Sequence, residues 1–141
     1  MADRRTPGAV TTIAIVGLLV ACSALTDRAP APQPSESFLA WLAAWGRQFT
    51  LADAPAGTAA PDVVLRTFLA DFPQFAAYGR ADPPIYGTVS CAEATCDMAG
   101  WPAERVTIWL IGFPDASVRS GGTGWAAVDP ETGNLITGDG P

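Results

Sequence analysis

Apolar positions in this chain fall into three patterns: one unbroken run near the start, two stripes of helical period in the middle, and short β-prone runs towards the end. The unbroken run spans Ala9 to Ala21, well short of the ~20 residues that a membrane-spanning helix needs. Phe38, Trp41, Leu42, Trp45 and Phe49 then recur at i, i+3, i+4, i+7 and i+11, which predicts one helix with Ser35 or Ser37 as its cap. Its stripe suits either a protein core or, given its Trp and Phe, the headgroup region of a membrane. Ala54 to Ala60, with Pro55 and Gly57, reads as a loop. Leu65, Phe68, Leu69 and Phe72 predict a second helix over Asp62 to Phe72. Pro61 suits its first turn, Asp62 its positive end, and Pro73 its end. Phe75, Tyr78 and Gly79 suggest a further short turn, and the step Asp82-Pro83-Pro84 a break.

Beyond this break the period changes. Ile85 to Val89 is a short strand, and Val106 to Phe113 is β-branched, aromatic and apolar at both parities. A strand of that kind must be covered on both faces, here by the 62–72 helix on one side and by the first helix or the Trp101 loop on the other. Trp125 to Val128 and Leu135 to Thr137 flank Asp129-Pro130-Glu131-Thr132-Gly133-Asn134, a hairpin turn with Pro early and Gly late. The expected fold is α+β, with two N-terminal helices packed on a small antiparallel sheet of about four strands, an arrangement that ordinarily places helices on one face.

The first apolar run ends in Leu19-Val20-Ala21-Cys22 and follows Arg4 and Arg5. A basic start, an h-region of this length, an apolar residue three before the cysteine and small residues next to it resemble the lipobox of bacterial lipoproteins. That resemblance implies a signal peptide over 1–21, cut before Cys22, whose thiol carries a diacylglyceryl group and whose amine is open to acylation. Two or more acyl chains give a stable anchor without a spanning helix. Cys22 would then hold the protein on the extracytoplasmic face of a membrane, with delivery to an outer membrane open where there is one. Residues 22–34 hold Pro30, Pro32 and Pro34 and read as an extended tether, and 35–141 as one domain.

Composition narrows the chemistry. The 141 residues include no His, and every one of the eight basic residues is Arg. Ser-His-Asp and Cys-His catalysis, His-ligated metals, the P-loop lysine and Schiff-base chemistry are excluded. The net charge of −6 is unsuited to nucleic acid. Loss of residues 1–21 removes Arg4, Arg5 and Asp3, leaving six Arg against thirteen acidic side chains. Outside the cytoplasm, Cys91 and Cys96 are expected to form a disulfide, with a redox-labile dithiol and a metal site as the alternatives. Asp129, Glu131 and Asn134 bring oxygen atoms close enough to suggest a cation, although a plain turn explains them equally. Ser120 to Gly124 has the glycines of a phosphate loop but opens a strand and lacks Lys. Carboxylates such as Glu93, Asp97, Glu104 and Asp115 are the remaining catalytic option, and no spacing rule pairs them. Trp101, between Gly100 and Pro102, is expected to be the most exposed of five tryptophans: a binding aromatic, or a lid near the disulfide.

The helix ending in a Phe-Pro step, the strand Trp109-Leu110-Ile111-Gly112-Phe113 and the hairpin Val128-Asp129-Pro130-Glu131-Thr132-Gly133-Asn134-Leu135 resemble PepSY-type extracytoplasmic domains. This resemblance implies a small non-catalytic interaction module without cofactor or metal. The functional expectation is a lipid-anchored envelope protein that binds a protein or peptide. A small-ligand-binding lipoprotein and a carboxylate-based envelope enzyme are the alternatives.

Overall fold

The computed structural model describes residues 30–94, 96, 98, 100–116 and 124–138. The expected signal segment, Cys22 and the tether up to residue 29 lie outside the described residues, as do Asp97 and residues 117–123 of the glycine-rich loop. Among the described residues no helix is long and apolar enough to cross a membrane.

The order of elements is α1 (Glu36–Ala44), β1 (Arg47–Leu51), α2 (Pro61–Asp71), a 3-10 helix (Pro73–Tyr78), β2 (Ile85–Cys91), β3 (Arg105–Gly112), β4 (Trp125–Val128) and β5 (Leu135–Gly138). The five strands form one antiparallel sheet whose spatial order is the chain order. The protein is therefore α+β. The expectation of two helices ahead of four strands is corrected: the helices lie within 36–78, and β1 stands between them as a fifth strand.

Gly46 accounts for this difference. Ser35 caps α1 as expected, its Oγ accepting from the Phe38 N–H at 3.3 Å. The helix then stops at Ala44 because Gly46 takes φ +67°, the left-handed conformation that glycine adopts without cost, and donates its N–H to Ala43 O at 3.0 Å. The chain reverses there. Phe49, which extends the helical stripe in sequence, lies on β1 instead, yet its ring centroid is 5.8 Å from that of Phe38. The stripe describes one apolar surface shared by a helix and the strand folded back along it. Trp45, a member of the stripe, sits at the helix end and is 40 % exposed.

The second helix follows its signals closely. Pro61 occupies the first turn, Asp62 stands near the positive end of the helix, and Pro73 ends the α-helix and opens the 3-10 turn.

Strand β3 divides the core in two. Ile108 and Leu110 pack with Phe38 and Leu42 of α1, Val89, Trp101, Trp125 and Ala127. Trp109, Ile111 and, just past the strand, Phe113 pack with Phe68 of α2, Phe75, Tyr78 and Val128. Both faces are covered, as the strand's double apolar parity requires. The helices lie on opposite faces rather than on one. Gly87 lets the sheet close on the α1 face. The Phe49 ring occupies the place of a Cβ there, and Thr50 O would lie 2.6 Å from one.

Candidate functional site

The register of β1 with β2 runs from Arg47 opposite Cys91 to Leu51 opposite Gly87. Ala52 N–H donates to Tyr86 O at 3.0 Å, and Ala92 N–H to Gly46 O at 2.8 Å. In an antiparallel pair the backbone groups alternate in direction. Even-numbered residues of β1 therefore face β2, while the N–H and C=O of Phe49 and Leu51 face away from the sheet. No backbone hydrogen bond reaches those two residues among the described residues. Strand β1 is thus a free edge, five residues long and in regular register. The opposite edge, β5, has four residues and follows a register shift at Ala127/Val128. A short, irregular edge is the kind that resists further pairing.

A groove of about 480 Å³ opens where β1 ends. Leu51, the small-residue loop that follows it, Pro84, Tyr86 and Trp109 form its lining, and Ala31 and Pro32, ahead of α1, close one side. Tyr86 and Trp109 are register partners on β2 and β3, with ring centroids 5.1 Å apart and edge-to-face. Leu51 is 49 % exposed. Asp53 is the one charged residue of the lining. Three buried indole N–H groups, those of Trp101, Trp109 and Trp125, find no acceptor among the described residues. Of these, Trp109 lines the groove. A buried donor without a partner is costly, and all three lie out of reach of solvent.

The other candidate residues stand elsewhere. Trp101 is only 2 % exposed, which corrects its reading as an exposed aromatic. The turn closed by its N–H on Met98 O folds the ring back over the α1-side core, 6.1 Å from Trp41. It is a lid. Beneath it lies Arg47, the one buried charged residue among those described. Its Nη1 donates to Ala103 O at 3.2 Å and Glu104 O at 3.4 Å, and its guanidinium carbon is 5.7 Å from the Trp101 ring centre. The Cys91–Cys96 disulfide closes the same end of the molecule, with Cα atoms 5.4 Å apart. Arg47, Trp101 and the disulfide together hold the β2–β3 connection.

At the β4–β5 hairpin, one Asp129 oxygen accepts from the N–H groups of Glu131 and Thr132, both at 2.8 Å. The Gly133 N–H meets Asp129 O, and the Asp129 N–H meets Asn134 O, each at 2.9 Å. The bond from Thr132 is the chief reason that the Asp129 carboxyl lies below the ordinary aspartate range. The arrangement shapes a turn, with that oxygen committed to the backbone rather than directed at a cation. Among the described residues no group of three or more His, Cys, Asp or Glu gathers in a metal-binding arrangement. Glu93 and Glu104 are exposed on the β2–β3 connection, and Asp115 is half-buried on the β3–β4 connection.

The architecture defines a small α+β domain with a five-stranded antiparallel meander covered on both faces. Comparison with protein-family models, with curated proteins and with solved structures finds no match to this chain.

Sequence reasoning missed the groove and Arg47. The legible trace of the groove is an exposed apolar residue, Leu51, ahead of a loop of Ala and Pro. The aromatic floor returns from residues far along the chain.

Proposed function

We propose that this chain is a lipid-anchored, extracytoplasmic, non-catalytic module that binds a protein or peptide in the cell envelope. The observation that carries the binding half is the groove of Leu51, Tyr86 and Trp109 beside the free edge of β1. Closed cores on both sheet faces leave that edge and groove as the place where backbone groups and apolar surface are open together. The anchoring half is supported by Leu19-Val20-Ala21-Cys22 and its basic start, and the likeness to PepSY-type modules by the final hairpin. A second reading, a small apolar ligand in the same groove, draws on its aromatic floor of Tyr86 and Trp109. The groove's wide opening along an edge strand favours the peptide.

Anchoring is tested by metabolic labelling with a fatty acid. Cys22→Ser should leave an unlabelled precursor, because a hydroxyl does not replace the thiol nucleophile. Labelling of this variant at the wild-type level would overturn the anchor. Binding is tested in cells with a photo-crosslinking residue at position 51, compared with one at position 66 on exposed α2. Adducts from position 51 alone are expected. Equal adducts from both positions, or none, would overturn the binding site.

A further inference from the structure

We infer that β1 takes up an extended peptide as a sixth strand, with the apolar end of that peptide in the groove and a cationic residue opposite Asp53. This rests on the reading of the groove as a binding site and names its partner chemistry. Two independent features converge on it. The first is backbone: Phe49 and Leu51 turn N–H and C=O outward on a regular edge, so an incoming strand finds a template already in sheet geometry. The second is the groove into which such a strand would run, since Leu51 and Asp53 lie along its wall.

The chemistry of the lining selects the occupant. Ala and Pro leave a shallow slot with rigid sides, suited to an extended chain rather than a bulky ring system. Asp53 is the only charge in the lining, and the chain as a whole carries −6. An acidic site on an acidic body draws a basic partner and repels an acidic one. The partner is therefore an extended segment of alternating apolar residues whose apolar end, in the groove, also carries an Arg or Lys to meet Asp53. The tether residues Ala31 and Pro32 form the far wall, so the anchor segment is part of the site as well as a spacer.

The test uses the full chain in detergent micelles and a fluorescein-labelled peptide of alternating valine and threonine ended by arginines. Anisotropy should show saturable binding, and the indole resonance of Trp109, assigned with Trp109→Phe, should shift as the peptide packs against the groove floor. Methylating every second amide of the peptide should weaken binding about tenfold or more in one phase and leave the other phase unchanged. Any other pattern overturns strand addition. Replacing the arginines with glutamates, or introducing Asp53→Asn, should weaken binding several-fold. Unchanged affinity in both removes the cationic requirement and overturns the assignment. Leu51→Pro deletes an outward N–H and no bond to β2, a substitution that edge strands accommodate, and it should also weaken binding about tenfold. Should the peptide fail to bind while the crosslinker at position 51 still captures a partner, strand addition falls and the proposed site stands. Failure of both overturns both.

Discussion

The two faces of the sheet are closed by different means. On the α2 side, one continuous stretch from Pro61 to Tyr78 supplies Phe75 and Tyr78, whose rings meet Phe113, and Phe68, which packs on Phe75, and together they cover Trp109 and Ile111. On the α1 side the cover is assembled from three places: a helix of nine residues, the strand β1 folded back along it, and the Trp101 loop held by Arg47 and the disulfide. The first cover needs only its own amphipathic period. The second needs a buried cation and a covalent bond as well. An apolar strand of the β3 type can thus be covered by one regular element or by several irregular pieces, and the irregular solution is the one that recruits polar and covalent ties.

The sharpest test of this contrast compares the largest rings. Trp125, fully buried between Phe38 and Trp41 at 4.9 and 4.8 Å, and Phe75 on the opposite face should each cost about 3–5 kcal/mol on truncation to Ala, measured by urea unfolding. A loss under about 1 kcal/mol for Trp125→Ala would mean that the α1 side is a loose cover rather than a core.

Next in size is Arg47→Ala. It strands the carbonyl of Ala103, leaves that of Glu104 with the Cys91 N–H alone, and removes the cation beneath Trp101, so a loss of about 1–3 kcal/mol is expected. Arg66→Ala, on the exposed side of α2, should stay within about 0.5 kcal/mol of wild type. Equal effects from the two arginines would erase the distinction between the faces.

The smallest expected effect lies at the hairpin. Hydrogen bonds from Thr132 first, opposed by some desolvation and aided by Glu131, hold the Asp129 carboxyl below its ordinary value. A group whose pKa is lower in the folded state adds stability above its unfolded value near 4, and that stability fades as the pH falls through the folded one. Thermal melts of Asp129→Asn should therefore show a slightly flatter acid limb than wild type below about pH 4. An NMR titration of Asp129 with a midpoint at or above the ordinary aspartate range would contradict the turn's role.

The same contrast explains what the sequence discloses. Helix α2 and strands β2 to β5 are legible to within a residue or two, because each carries its own period and its own punctuation in Pro and Gly. Strand β1 is hidden because Phe49 satisfies a helical spacing while Gly46, inside that spacing, ends the helix. Trp101 misleads because Gly100 and Pro102 mark a turn without saying which way its aromatic points. The Cys91–Cys96 pair is legible from its spacing taken with the expected compartment. The groove is not, since its walls are Ala and Pro and its floor is formed only when Tyr86 and Trp109 come into register.

The agreement between strand order and chain order has a consequence for how the molecule assembles. Each strand pairs only with its predecessor and its successor, so no hairpin waits for a distant piece of chain. The longest gap between successive strands is closed by Leu51 with Gly87, and α2 within it gives that segment local structure of its own. Low sequence separation between partners favours fast folding. For a chain that emerges from synthesis N-terminus first, such a plan lets pairing follow emergence in a zipper-like progression. The most apolar strand, β3, meets β2 as soon as it appears, and the interval in which its Ile-Trp-Leu-Ile run stands bare, open to aggregation, is kept short.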